Sequence, residues 1–349
     1  MQNTAAVLTK LNTIELQQVP MPTLKPGDVM IKLAVVGICG SDIHYYTQGR
    51  IGNFVVEFPF ILGHEASGTV VEVAPDVTNI KVGDRVCIEP GVPCGKCSFC
   101  MRGHYNLCPD VEFLATPPYN GCLMNYITYP ASWTYKLPDS MSLDEGALVE
   151  PLAIGINAAK TGKVRLGDTV LVYGAGCIGL VSAMAAKAFG ATRVIVVDLI
   201  EKRLEIARKY GAITLNSEQK NIETEILDLT GGKGVDVVLD CVGLSQTIRG
   251  AVMAAKSGGR IVIVGMATEE INSVPLGPIS TKELLITSIF RYANLFPATI
   301  EAIAGRTIDV KSIISNRYPF AEVIRAYSET VKNIRNTVKS VIIFPDESL

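Results

Sequence analysis

Four cysteines stand close together in this chain, Cys94, Cys97, Cys100 and Cys108, with two, two and seven residues between them. A tetrahedral zinc needs four sulfurs at about 2.3 Å, and closely spaced cysteines supply them at little cost in loop entropy. Gly95 and Gly103 suit the turns this requires. An iron–sulfur cluster is the competing reading, because thiolate runs serve those clusters too. Four thiolates on one zinc leave no open position, so this lobe is expected to be structural. A second pair has donors that suit zinc: Cys39 in Gly37-Ile38-Cys39-Gly40-Ser41-Asp42, and His64 in Gly63-His64-Glu65, each close to a glycine. Taken alone, a cysteine and a histidine this far apart more often mark packing than a metal. Cys87, Cys122, Cys177 and Cys241 read as small buried hydrophobes, and His104 as a surface residue of the lobe.

A third constellation is Gly174-Ala175-Gly176-Cys177-Ile178-Gly179. It closes a predicted strand and opens a predicted helix. The first glycine permits a tight turn, the second lets backbone approach a pyrophosphate, and the third allows close helix–strand packing. Asp198 ends the next strand, 22 residues beyond Gly176. A carboxylate there accepts from the ribose hydroxyls and repels a 2′-phosphate, which favours NAD over NADP. The competing reading is an ordinary turn with a solvated aspartate. Lys202 and Arg203 follow directly, cations that bear on the choice of cofactor; Arg203 is assigned to the adenine edge.

The elements around these groups fall into two patterns. Up to about residue 150, β-branched runs such as Val29–Val36, Gly68–Val73 and Arg85–Glu89 predict short strands. Beyond it, apolar strands alternate with helices: Thr169–Gly174, helix Leu180–Phe189, Arg193–Asp198, helix Glu201–Tyr210, Val235–Asp240, helix Gln246–Ala255, Arg260–Gly265 and Leu284–Ile289. Such alternation predicts a doubly wound parallel sheet. The chain ends in another strand, Lys339–Phe344, and this tail could rejoin the first part. The 349 residues suffice for two domains. A net charge of −2 gives no case for nucleic acid or an anionic membrane surface. No apolar run reaches the roughly 20 residues of a membrane helix, and the N-terminal residues lack a secretory h-region. Nine cysteines then argue against a disulfide framework, and a soluble cytoplasmic protein is expected.

GICGSD, GHEASGTV, VGDRV, the four-cysteine lobe and GAGCIGL occur in that order. On these motifs the whole chain resembles the zinc-containing medium-chain dehydrogenase/reductase family. It is most similar to the polyol (sorbitol/L-iditol) branch, through His44-Tyr45, Gly49–Phe54, Ala115–Pro118, Glu150-Pro151-Leu152 and Phe290-Arg291-Tyr292. The resemblance implies an α/β protein with a Rossmann sheet and a GroES-like, mainly β catalytic domain. That catalytic domain would comprise residues 1–152, with the zinc lobe at 91–109, and residues 288–349; the NAD domain would be 153–287.

It also implies two zincs per subunit. The catalytic ion would be held by Cys39, His64 and Glu65, with water and a nearby carboxylate, Glu150, as an alternating ligand or a holder of that water. Glu150 stands where the alcohol dehydrogenase branch has a cysteine; its plain reading is a pre-proline residue ending a strand. The structural ion would take the four lobe cysteines, which animal polyol dehydrogenases have largely lost. A proton relay through Ser41 to His44 is implied, against a plain reading of His44 as a loop residue packed on Tyr45. Tyr45, Phe113, Arg291 and Tyr292 would line a polyol pocket, where unpaired hydroxyls are costly. The expected reaction is zinc-dependent oxidation of a secondary alcohol of sorbitol, xylitol or L-iditol with NAD, in a homotetramer. A threonine 3-dehydrogenase or a phosphorylated-polyol dehydrogenase is the alternative on the same fold. A catalytically silent relative would lack the Cys39–His64 pair.

Overall fold

The run Asp28–Ile38 (DVMIKLAVVGI) forms a long strand around which one part of the molecule is built. In the computed structural model, which describes residues 2–266 and 274–345, the chain divides into two units. One comprises Met1–Glu150 with Phe296–Leu349, the other Pro151–Leu295.

In the first unit, Asp28–Ile38 lies between Glu65–Val73 and Lys339–Ile343 in a seven-stranded sheet. The order continues through Arg85–Ile88 to Thr134–Lys136 on one side and to Ile314–Pro319 on the other. Tyr126–Pro130 also pairs with the long strand. Register shifts at Met30/Ile31 and Leu33/Val35 bend that strand, as bulges do where a sheet must curve. Ile31, Leu33 and, past the second shift, Val36 enter a core that also takes Leu62, Val70 and Val86. The tail supplies a helix, Val323–Lys332, whose Tyr327 packs its ring 5.3 Å from that of Tyr46.

A helix at Gly40–Gln48 follows the long strand at once. The sequence reading missed it, and GSDIHYYTQ has few strong helix formers. Its ends hold it instead. Asp42 Oδ2 accepts the Cys39 N–H at 3.0 Å in a capping arrangement, and Gly49 closes the helix with φ 70°, its N–H on Tyr45 O at 3.0 Å.

The second unit carries six parallel strands in the order Ile213–Asn216, Arg193–Asp198, Thr169–Tyr173, Val235–Asp240, Ala255–Ile263, Leu285–Ser288. Numbered along the chain within the sheet this order is 3-2-1-4-5-6, the doubly wound arrangement, with its switch point beside Thr169–Tyr173. That strand is buried throughout, as are Val194 to Val197, because helices Cys177–Ala188 and Ser245–Ala254 pack against the sheet. The expected strands are all present. The helix expected from Leu180 starts three residues earlier, at Cys177, since Gly176 is its N-cap.

Candidate active site

The register of the first sheet brings the zinc-type donors together. Gly37 pairs with Glu65, so the end of one strand meets the start of the next. Cys39 is the N-cap of helix Gly40–Gln48. Ligand atoms of Cys39, His64 and Glu65 all lie within 4.8 Å of one another. Donors on one tetrahedral zinc are separated by roughly 3.3–3.8 Å, given metal–ligand lengths of about 2.0–2.3 Å. A small contraction closes this group on an ion, and sulfur, imidazole and carboxylate suit zinc. The group is also built for positive charge. Burial opposes an imidazolium at His64, yet Asp42 and Cys39 beside it hold its pKa well above the ordinary value. A metal cation would take the place of that proton.

Gly37 is a glycine for a steric reason. A Cβ there would come within 1.9 Å of Glu65 Oε2.

Two residues with no expected role complete the surroundings. Asp42 is fully buried and braces both ligand loops: it accepts the N–H of Cys39 and, at 3.0 Å, the N–H of Gly63. Its Oδ1 stands 3.7 Å from His64 Nδ1, a charge contact longer than a hydrogen bond. Its place in GICGSD was visible; its function was not. Lys339, from the last strand, donates to both Glu65 oxygens at 2.8 and 2.7 Å. Nothing local in the sequence signals that contact.

Glu150 is buried at the start of helix Val149–Thr161, and the three-donor group does not include it. It lies near enough to Glu89 to raise that residue's pKa. Glu89 is pushed up to about 7, chiefly by burial, against the lowering effect of the Tyr105 and Tyr135 hydroxyls. Those hydroxyls donate to its carboxylate at 2.7 and 3.0 Å.

Ser41 and His44 are half-buried on helix Gly40–Gln48. Three residues apart, they share a helix face. Phe113 is buried with its ring 5.8 Å from the His64 ring. Tyr45 is buried in the core and meets Phe60 edge-on at 6.3 Å. Arg291 and Tyr292 belong to the second unit. Arg291 has φ 56°, its guanidinium lies over the Phe290 ring at 4.8 Å, and its carbonyl accepts from Asn157 at 2.8 Å. Tyr292 is buried.

Among the described residues, the four lobe cysteines form the other group with donors inside 4.8 Å. Cys97 and Cys100 sulfurs stand 3.4 Å apart, and backbone N–H groups of Cys100 and Cys94 point at Cys97 and Cys108 sulfurs. The Cys100 N–H lowers Cys97 to about 7, while desolvation pushes Cys100 up to about 12. Four sulfurs with backbone donors fit a zinc with no open position. Tyr105, inside the lobe, stacks edge-on against Trp133 at 4.9 Å and ties the loop to Glu89.

In the second unit, Gly174 leaves its strand with φ 92°, a conformation that favours glycine. A Cβ on Gly179 would strike Gly174 O at 1.9 Å, so helix and turn could not close. Beside Gly176, by contrast, the nearest atom to an added Cβ is Arg203 Nη1 at 3.9 Å. That is open backbone beneath a cation at a helix N-terminus, which fits a diphosphate. Cys177 and Ile178 supply the first helical N–H groups. Asp198 accepts the N–H of Ala175 at 2.6 Å and of Ile200 at 2.8 Å, which fixes its carboxylate beside the turn. The Arg203 guanidinium thus reaches the turn at Gly176.

The Alcohol dehydrogenase GroES-like domain matches residues 25–139, and the Zinc-binding dehydrogenase domain matches residues 177–305. Sorbitol dehydrogenase of Bacillus subtilis (strain 168) is 42% identical over 345 residues, 98% of this chain and 97% of that protein. Sorbitol dehydrogenase of Rattus norvegicus is 42% identical over 336 residues, 95% and 94% of the two chains. Among solved structures, an alcohol dehydrogenase from E. coli CFT073 complexed with NADH superposes with a TM-score of 0.91 at 30% identity, covering 99% and 100%. Identity of that order, sustained from end to end, reaches past a shared fold, and the chain belongs to the zinc-containing medium-chain dehydrogenase/reductase family.

Proposed function

We propose that this protein oxidises a secondary hydroxyl of a polyol, such as sorbitol, xylitol or L-iditol, to the ketose, with NAD as hydride acceptor. The observation that carries the reading is the mixed donor group Cys39, His64 and Glu65, with a second carboxylate, Glu150, buried in the same unit. Full-length similarity to proteins named sorbitol dehydrogenase supports the substrate class, and the NADH-bound neighbour supports the cofactor.

When bound, zinc supplies Lewis acidity toward the alcohol oxygen and NAD accepts the hydride. The chain's own residues do the rest. Cys39, His64 and Glu65 hold the metal, and Glu150 orients the alcohol or water beside it. Ser41 takes the hydroxyl proton and passes it to His44, one helical turn on, which releases it to solvent. Phe113, beside His64, keeps water from that side. Tyr45 lies on the polyol side of this unit. Gly174, Gly176, Cys177, Ile178 and Gly179 cradle the diphosphate with Arg203, while Asp198 accepts from the ribose hydroxyls. The four lobe cysteines hold a structural zinc.

We assign the chain to a cytoplasmic homotetramer. No helix among the described residues is long and apolar enough to cross a membrane, and none of the nine cysteines is in a disulfide. Among the described residues, Leu285–Ser288 ends its sheet with one neighbouring strand and Leu285 exposed, an edge a second copy could extend.

The test is activity on sorbitol, xylitol, galactitol, galactitol phosphate and L-threonine, each with NAD and NADP, together with bound metal. Polyol turnover with NAD and two zincs per chain is the expected outcome. Turnover of L-threonine or the phosphate alone, or a chain without zinc, would overturn the reading.

A further inference from the structure

Glu65 is fully buried, and a buried carboxylate must be paired. Its partner comes from the far end of the chain. Lys339 is 2% exposed, donates to both carboxylate oxygens, and gives a third bond to Ile38 O at 3.1 Å. The backbone fixes this ammonium. Ser340 pairs with Ile38 and Val341 with Gly37, so the last strand lies against the strand that leads into Cys39. Gly37, lacking a Cβ, leaves the space in which Glu65 turns toward that strand. One strand thus carries the contacts of Cys39, Glu65 and Lys339 at its end. Glu65 keeps its oxygen within 4.8 Å of the Cys39 and His64 donors while both of its oxygens are bonded to Lys339.

We propose that Lys339 is a positioning residue for the metal ligand Glu65: it fixes the carboxylate at the metal position and so sets how tightly zinc is held there. This rests on the zinc-binding role assigned above to Cys39, His64 and Glu65. A carboxylate locked by a buried cation does not have to be ordered when the metal arrives, and outer partners of this kind typically alter metal affinity 10–100-fold. A cation so close to the metal could instead act as a rival for the carboxylate, and the sign of the effect separates the two.

The experiment measures zinc affinity of the whole chain by chelator competition, and the visible spectrum after cobalt(II) substitution. Wild type is compared with Lys339→Met, Lys339→Arg, Glu65→Gln and the Lys339→Met/Glu65→Gln double variant. Lys339→Met is expected to weaken one of two zincs by at least tenfold, leave the lobe zinc unchanged and shift the cobalt bands. Lys339→Arg should restore most of the affinity. In the Glu65→Gln background, Lys339→Met should have no further effect, because Lys339 acts through Glu65. If Lys339→Met does not fold, Lys339→Gln, which keeps a polar donor beside Glu65, takes its place and is expected to weaken the same zinc by at least tenfold, an unchanged affinity overturning the proposal. Unchanged or tighter zinc in Lys339→Met, or an equal loss in the Glu65→Gln background, overturns the proposal. Wild type that binds zinc at the lobe alone would overturn the underlying reading instead.

Discussion

The reach of single atoms decides what can stand in this site. Gly37 and Gly40 lie three residues apart in one motif, yet their surroundings are opposite. A Cβ at Gly37 would overlap Glu65 Oε2, whereas at Gly40 it would meet nothing within 4 Å. Gly37→Ala should therefore push the carboxylate off the donor group and cost at least about tenfold in zinc affinity at that site. Gly40→Ala should leave zinc binding and activity near wild type. Metal analysis with polyol oxidation rates checks the pair, and equal behaviour of the two variants would refute the steric argument. The contrast also shows what the sequence could tell. Cys39, His64 and Glu65 were legible through the resemblance of GICGSD and GHEASGTV to the family's motifs, since their spacing alone was weak evidence. Asp42 was in view but mute, since its work is to accept two backbone N–H groups from different loops. Lys339 was invisible, being 274 residues from the carboxylate it holds.

Among the elements, the cysteine lobe and the strands beneath it meet at one titratable group. Glu89 follows Arg85–Ile88, takes a hydroxyl from Tyr105 in the lobe and another from Tyr135, and is buried. Its pKa is raised to about 7 by burial first, with the Glu150 charge adding. A raised carboxylate keeps its proton in the folded state after the unfolded chain has released it. Its stabilising contribution is full below the ordinary value of 4.5 and is lost as pH rises through about 7. Glu89→Gln removes that dependence. Wild type should lose stability relative to the variant between about pH 4.5 and 7, by at most about 3 kcal/mol, and run parallel to it above. Melting temperatures across that range decide it, and parallel curves within it would contradict the assignment. Element types were easier to read than this junction. Fully apolar runs such as Val194–Val197 announce parallel strands by composition. Helix Gly40–Gln48 did not, because its cap and not its propensities sustains it.

For the whole molecule, chain order matters more than any local feature. The dinucleotide-type unit is one continuous segment, Pro151–Leu295, whereas the unit with both donor groups needs the two ends of the chain. Lys339–Ile343 is an interior strand there, hydrogen-bonded to Asp28–Ile38 on one side and Ile314–Pro319 on the other. Omitting it would leave two strands with unpaired edges, take the buried Val341 and Ile342 out of the core, and strip Glu65 of its cation. Buried backbone groups without partners and lost apolar burial each act against folding. Among the described residues, the Rossmann strands, by contrast, pair only with one another in their sheet. A chain ending at Val338 should therefore lose the Cys39–His64–Glu65 metal and all polyol activity. It should keep a folded 151–295 segment that resists protease and still enhances NADH fluorescence. Limited proteolysis, zinc content and an NADH titration test this together. Retention of both zincs by the shortened chain would show that the last strand is dispensable. Loss of NADH binding as well would show that the continuous unit does not stand without the completed sheet of the other.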